Sequence, residues 1–92
     1  MAILVTQEFE ATLEEYDQVN EKLGDATPDG AILHAACDLG GGKMLSVDVW
    51  ESAEQFQNFV QNQLIPAIAE VNPDAPQAAE PEIREIYDLD KA

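Results

Sequence analysis

The segment SVDVWESAEQF, residues 46–56, changes from a strand-like to a helix-like pattern of apolar residues. Apolar and polar residues alternate up to Trp50, which indicates a β-strand with two different faces. Ser52 and Gln55 then match the capping-box positions at the start of a helix, and Phe56 begins an apolar series at helical spacing. The segment therefore predicts a strand that ends at Trp50 and leads directly into a helix.

The same periodicities predict the other elements on either side of this junction. Strands are predicted at 2–9, 31–39, 43–50 and 82–89, helices begin at Thr12 and Ser52, and a proline-containing loop occupies 72–81. Three glycines at 40–42 are typical of a short connection in an antiparallel hairpin. Pro66 lies within the second helical pattern and is expected to kink or break it, because proline removes a backbone hydrogen bond.

The element order βαββαβ predicts the fold class. It is the α+β, ferredoxin-like arrangement of a four-stranded antiparallel sheet with two helices on one face. A chain of 92 residues has the size of one domain, so residues 1–92 are predicted to form a single domain. The sheet face without helices would expose apolar side chains, and two copies that pair through these faces would cover them.

Charge and cysteine content restrict the classes of partner. Nineteen acidic residues against four basic ones give a formal net charge of −15, which argues against nucleic acid and against an anionic membrane surface. No segment approaches the roughly 20 apolar residues that a membrane span needs. The single cysteine, Cys37, cannot form an internal disulfide, and MAILVTQEFE lacks the pattern of a secretory signal. We therefore expect a cytoplasmic protein.

The junction also carries a resemblance to a known family. VDVWES, followed by EQF and by a further Phe three residues later, resembles the dimeric α+β barrel superfamily in this element order. Within that superfamily the sequence is similar to the antibiotic biosynthesis monooxygenase-like group. The resemblance implies a homodimer whose two sheets close a barrel, with a pocket for a small apolar or aromatic ligand. Some members oxidise polycyclic aromatic compounds with molecular oxygen and without a cofactor.

The resemblance further implies residues that line such a pocket. Trp50 matches the strand-end tryptophan of the oxygenases, while Ser46 stands where those enzymes have an asparagine. Gln7 is chemically similar to an asparagine near the first strand of a heme-degrading branch, but Phe59 and Ala69 replace that branch's tryptophan and histidine. An aromatic ligand is therefore favoured over heme, with Trp50, Ser46 and Gln7 as substrate-binding residues.

His34 and Asp48 are the predicted catalytic pair. If residue 39 pairs with residue 43 across the hairpin, His34 and Asp48 lie five residues beyond that pair on each strand and become cross-strand neighbours. An imidazole with a pKa near ~6.5 is a competent general acid or base, and a neighbouring carboxylate would orient it and raise its basicity. The alternative is a histidine whose hydrogen bond to a neighbour is only structural.

Arg84 and Tyr87, in the last predicted strand, complete the predicted substrate-binding residues. Arg84 can bind a ligand carboxylate or phenolate, and Tyr87 can donate a hydrogen bond to a ligand oxygen. For Arg84 the alternative is an ion pair with one of the many surface acids. For Tyr87 the alternative is an aromatic ring whose hydroxyl simply reaches solvent.

The two faces of the second strand are predicted to differ. Cys37 shares its side with Leu33 and Leu39, and this apolar side is predicted to lie beneath the helices, with Cys37 inert in the core. The mixed side, which carries His34, is then predicted to border a hollow between the two sheets of the dimer. Trp50 would line the same hollow, and the alternative for this residue is an ordinary place in the core.

Two functions remain open from the sequence. The first is a cofactor-independent monooxygenase-like enzyme, or an isomerase or cyclase on the same barrel, that acts on an aromatic or polyketide-like substrate. The second is a non-catalytic dimer that binds a ligand or another protein. One histidine and one distant cysteine are too few ligands for zinc, and no phosphate-binding motif follows the glycines at 40–42. No metal and no cofactor are therefore predicted.

Overall fold

The computed structural model describes residues 2–75 and 79–90. Its elements are β1 (Ile3–Glu10), α1 (Leu13–Leu23), β2 (Ala31–Gly40), β3 (Lys43–Trp50), α2 (Ala53–Phe59), α3 (Ile65–Val71) and β4 (Glu82–Glu85), with a π-helical turn at Val60–Leu64 between α2 and α3. The four strands form one antiparallel sheet in the order β2-β3-β1-β4. The predicted α+β, ferredoxin-like topology is confirmed. The predicted loop at 72–81 includes residues 76–78, which lie outside the described residues.

The hairpin between β2 and β3 sets the register of the candidate site. Gly41 and Gly42 form a two-residue turn with φ of 63° and 79°, and Gly40 pairs with Lys43. This conformation suits glycine, because positive φ is costly for residues with a Cβ. A register shift between Asp38 and Gly40 adds one residue to β2. From Asp38 back to His34, the two strands therefore pair as they would if a three-residue turn joined residues 39 and 43.

The helices cover the sheet face opposite to the predicted one. Ile3 and Val5 of β1 and Trp50 of β3 are buried against Phe56 of α2, so the side chains with the parity of Trp50 face the helices. Cys37 lies on the other face and is exposed, which corrects its predicted place in the core. The alternation on β2 alone misled the prediction, because the largest apolar side chains of the central strands β1 and β3 have the other parity.

The second helical segment, which runs from α2 through the π-helical turn to α3, accommodates Pro66. The residues from α2 through the π-helical turn to α3 remain helical, and Leu64 and Ile65 have right-handed helical dihedrals. The π-helical turn shifts the hydrogen-bond ladder just ahead of Pro66, which therefore stands in the first turn of α3, where its missing amide is tolerated. Pro66 changes the type of helix instead of ending it.

The helix starts agree with the capping signals, whereas the last strand is shorter than predicted. The side chain of Thr12 accepts a hydrogen bond from the Glu15 amide, and Glu15 bonds back to the Thr12 amide, so the predicted capping box is confirmed. β4 ends at Glu85, and beyond it the Ile86 amide donates to the Ala2 carbonyl over 2.9 Å. Within 2–75 and 79–90, none of the helices combines the length and the apolar character of a membrane span.

Candidate functional site

The predicted pairing of His34 with Asp48 is confirmed. The two residues are direct cross-strand partners on β2 and β3, and Nδ1 of His34 is hydrogen-bonded to Oδ1 of Asp48. An ionised carboxylate only accepts hydrogen bonds, so the Nδ1 atom carries the hydrogen. The second carboxylate oxygen, Oδ2, accepts a hydrogen bond from Nε1 of Trp50 over 3.4 Å. Both oxygens of Asp48 are therefore engaged, one by an imidazole and one by an indole.

A tyrosine from the first helix completes this network. The hydroxyl of Tyr16 lies 2.6 Å from Nε2 of His34. Since Nδ1 carries the hydrogen of the neutral imidazole, Nε2 is the acceptor and the Tyr16 hydroxyl donates. The two rings are nearly parallel, with an interplanar angle of 12° and centroids 6.3 Å apart. The side chains Tyr16, His34, Asp48 and Trp50 thus form a continuous chain of hydrogen bonds, which we call the site network.

Sequence reasoning missed the part that Tyr16 takes in this network. In the sequence Tyr16 is one of several apolar or aromatic residues on the inner face of α1, and nothing in that spacing identifies a histidine as its partner. The contact depends on how α1 packs in the folded chain, which brings Tyr16 to a residue 18 positions farther along. A tyrosine on the inner face of a helix, above a strand that carries a lone histidine, is the only signal that was available.

The burial of the site network is uneven. The side chain of His34 is 51% exposed, whereas that of Asp48 is 15% exposed. The hydrogen bond to Asp48 raises the pKa of His34 above its usual 6.5, desolvation opposes this rise, and the negative charge of Asp48 adds to it. A half-exposed imidazole with a raised pKa, held by a largely buried carboxylate, can accept a proton and hold it close to the surface.

Trp50 belongs to the core as well as to the site network. Its ring packs on Phe56 with centroids 5.6 Å apart and on Phe59 with centroids 5.3 Å apart, and only 3% of the residue is exposed. Trp50 does not line the predicted hollow between two sheets, because it lies on the sheet face that the helices cover. Trp50 therefore meets the site through its indole nitrogen, and its ring packs against the two phenylalanine side chains of α2.

Ser46 and Gln7 lie on the same sheet face as the site network. The two residues are cross-strand partners, and Ser46 lies two residues before Asp48 on β3. The Ser46 hydroxyl donates a hydrogen bond to the Gln7 carbonyl over 3.5 Å. The amide nitrogen Nε2 of Gln7 donates to the carbonyl of Ala79 over 2.7 Å. Gln7 thus ties the segment before β4 to the sheet beside the candidate site.

The structure does not bring Arg84 and Tyr87 to this place. Arg84 pairs with Leu4, so its side chain lies on the sheet face away from the helices, where it forms an ion pair of 2.6 Å with Glu82. Tyr87 follows the end of β4 and is fully exposed. The last strand was predicted to extend over 82–89, whereas β4 ends at Glu85, so Tyr87 lies outside the strand.

Two clefts occur elsewhere on the described part of the chain. One, of about 220 Å³, is lined by Lys22, Leu23, Gln63, Pro66, Ala67 and Glu70; the other, of about 90 Å³, is lined by Asp29, Gln55, Asn58, Phe59, Asn62 and Gln63. Neither is lined by Tyr16, His34 or Asp48. The site network therefore meets solvent at the exposed edge of the His34 ring and not through either of these clefts.

Comparison with known proteins identifies the fold. No family model matches the sequence, and no functionally curated protein is significantly similar to it. Solved structures do match. A protein of Chloroflexus aurantiacus assigned to the antibiotic biosynthesis monooxygenases has a TM-score of 0.71 at 16% identity, with 99% of this chain and 98% of that chain covered.

Two further structures agree with this match. A Deinococcus radiodurans protein with the same assignment has a TM-score of 0.65 at 16% identity, with 100% of this chain and 98% of that chain covered. SnoaB, a cofactor-independent oxygenase from Streptomyces nogalater, has a TM-score of 0.65 at 14% identity, with 96% of this chain and 94% of that chain covered. At these identities the similarity establishes a shared fold over nearly the full length of the chains.

Proposed function

Because this chain has the fold of the antibiotic biosynthesis monooxygenase-like proteins, we propose that it binds an aromatic or polyketide-like small molecule and moves a proton on it without a cofactor. The observation that carries the proposal is the bond between Asp48 and the half-exposed ring of His34, which prepares one imidazole to hold a proton. The cofactor-independent oxygenase SnoaB shares the fold and makes a monooxygenase-like reaction the first candidate.

The proposed chemistry begins with the loss of a proton from the ligand. Removal of an acidic C–H or phenolic proton gives an anion whose charge spreads over the aromatic rings. Such an anion is rich enough in electrons to react with molecular oxygen. For a ring CH₂ group, the products are a carbonyl group and one molecule of water, so the ligand supplies both hydrogens of the water and all four electrons that reduce the oxygen molecule. His34 is the residue that takes up the first proton, and Asp48 stabilises the resulting imidazolium.

We further propose that two copies pair through the sheet face away from the helices. This open face consists mainly of the apolar side chains Leu4, Leu33, Ala35, Leu45, Val47 and Val49. In the single chain Leu33 is 53% exposed, which is unusual for a large aliphatic side chain on a sheet. The site network lies on the opposite face, so each protomer of such a dimer carries its own site.

A non-catalytic binding protein is the second candidate, and one observation favours it. Trp50 is packed between helix side chains, and the two clefts described above lie away from the site network. In that case the hydrogen bonds of His34 and Asp48 would only fasten α1 and β2 to the rest of the sheet. A protein of this kind would bind the ligand without changing it, and the experiment below separates the two candidates.

Anthrone, a tricyclic ketone with an acidic ring CH₂ group, is a suitable probe. Binding is followed by quenching of the single tryptophan, Trp50, and turnover by oxygen uptake and mass spectrometry of the quinone. We expect His34→Gln to lower turnover by about 100-fold with binding unchanged, because general acid–base groups commonly contribute that much. Asp25→Asn, in the exposed loop after α1, is the control and keeps full activity. Binding without oxygen uptake would support the non-catalytic candidate, and absence of binding would refute both for this class of ligand.

A further inference from the structure

We propose that Tyr16 is the group that exchanges the proton with the ligand, as the outer member of an Asp48–His34–Tyr16 relay. The inference deepens the proposed function and rests on it. It assigns to a residue of α1 the contact with the ligand that sequence reasoning assigned to the histidine. Within this relay His34 stores the proton and Asp48 stabilises its charge.

Both nitrogens of His34 already have partners. Nδ1 is hydrogen-bonded to Asp48, and Nε2 accepts from the Tyr16 hydroxyl at 2.6 Å. An imidazole has no third nitrogen, so a ligand can exchange a proton with the His34 ring only through one of these two partners. Asp48 is largely buried and also accepts from Trp50, whereas a tyrosine oxygen that donates one hydrogen bond can still accept another.

The position of Tyr16 is fixed from several sides. Its amide donates to the Thr12 carbonyl over 3.0 Å, in the first turn of a helix that a capping box stabilises. Phe9 of β1 stacks on its ring, with centroids 6.4 Å apart. The neighbouring Glu15 accepts a hydrogen bond of 3.2 Å from Asn72, at the end of α3. The backbone and the ring of Tyr16 are therefore both held by neighbours, and its hydroxyl lies 2.6 Å from Nε2 of His34.

The proposed step balances in atoms and charge. The ligand gives its proton to the Tyr16 oxygen while the hydrogen of the Tyr16 hydroxyl passes to Nε2 of His34. Tyr16 ends as a neutral phenol, His34 becomes an imidazolium facing the Asp48 carboxylate, and the ligand becomes an anion. No oxidant or reductant enters this step, and the reverse transfer returns the proton. The pKa of His34, raised by its bond to Asp48, favours the charged product.

Nuclear magnetic resonance tests the relay without any ligand. The chain contains two tyrosines and one histidine, so Tyr87→Phe leaves single signals for the Tyr16 ring and for the His34 ring. Tyr87 is fully exposed beyond β4, and its replacement leaves the site network unchanged. We expect the Cζ signal of Tyr16 to show an inflection at the pH where His34 titrates, and this inflection to vanish when His34→Gln is added. A Tyr16 signal that ignores the His34 titration would overturn the relay.

Deuterium uptake separates a catalytic from a positioning role. Anthrone in D₂O under nitrogen exchanges its ring CH₂ hydrogens when a base removes them, and the absence of oxygen isolates proton transfer. We expect Tyr16→Phe to slow the protein-catalysed exchange by about 100-fold, with the anthrone dissociation constant from Trp50 quenching within about threefold of wild type. Tyr87→Phe is the matched control and exchanges at the wild-type rate.

Two other outcomes have distinct meanings. Exchange by Tyr16→Phe within about threefold of wild type, with exchange lost in His34→Gln, would overturn the inference and leave His34 as the group that meets the ligand. If the wild-type protein neither binds nor exchanges anthrone, the proposed function fails for this class of ligand. The magnetic resonance titration then decides by itself whether Tyr16 and His34 form one proton-sharing unit.

Discussion

At the scale of the residue, one carboxylate organises the candidate site. Asp48 is largely buried and would be unfavourable there without partners, but His34 and Trp50 each donate a hydrogen bond to it. The sequence places these three residues on one face by parity alone. The direction in which each ring points, and the contact of His34 with Tyr16, follow from packing against the helices.

The pairing of His34 with Asp48 predicts a pH-dependent stability. The pKa of His34 is raised by folding, so its contribution is fully present below about 6.5, the usual pKa, and disappears as the pH rises through the raised value. We expect wild type to exceed His34→Gln by about 0.5–1 kcal/mol more at pH 5.5 than at pH 9, the range of partly exposed ion pairs. Urea unfolding at both pH values measures this, with Asp25→Asn as control. A difference that grows with pH would contradict the assignment.

At the scale of the element, glycines at two turns fix where strands begin and pair. Gly41 and Gly42 form the turn that, with the extra residue in β2, places His34 opposite Asp48. Gly30 precedes β2 with a φ of 84°, and a Cβ added there would lie 2.6 Å from the side chain of Gln55. Gln55 itself accepts a hydrogen bond from Ser52 at the start of α2. The absence of a side chain at Gly30 therefore lets β2 begin close beside α2.

The two glycines provide a matched pair of alanine substitutions. Gly41→Ala meets open space and carries only the backbone cost of positive φ, so we expect it to lower the free energy of unfolding by about 1 kcal/mol. Gly30→Ala has the same backbone cost and must also displace Gln55, so we expect a loss of about 2–3 kcal/mol. Urea unfolding of both variants checks the order. Equal losses would show that Gln55 moves away at little cost.

At the scale of the whole molecule, the apolar sheet face favours the association of two copies, whereas the strong negative charge of the chain opposes it. Pairing of the open faces removes apolar area from water, which favours a dimer. Each protomer carries a formal net charge of −15, so two protomers repel each other. Salt screens this repulsion and leaves the apolar contact in place, so the proposed dimer should tighten as the ionic strength rises.

Sedimentation equilibrium tests the proposed dimer. Val47 lies in the middle of the open face, paired with Thr6 on one side and Ala35 on the other. We expect Val47→Asp to raise the dimer dissociation constant by at least about 100-fold, because an aspartate there is buried without a partner. Gln57→Asp adds the same charge at an exposed position of α2 and is the control. A monomeric wild-type protein at micromolar concentration and moderate salt would contradict the dimer.

Particular residues show how far sequence reasoning reached. The pairing of His34 with Asp48 was predictable because hairpin register depends on local turn length, and the two-residue turn with its bulge gives the same count as a three-residue turn. The capping box of α1 was predictable because it depends on residues three positions apart. The helix-covered face was assigned wrongly, because parity identifies two faces and does not tell which one the helices choose.

The sequence by itself determined the order of the elements, the hairpin register and the fold class, because each depends on periodicity or on contacts between residues close along the chain. The tertiary structure alone decided which sheet face lies under the helices, and with it the burial of Trp50, the exposure of Cys37 and the meeting of Tyr16 with His34. These follow from the packing of whole elements, where the larger apolar surface of β1 and β3 takes the covered side.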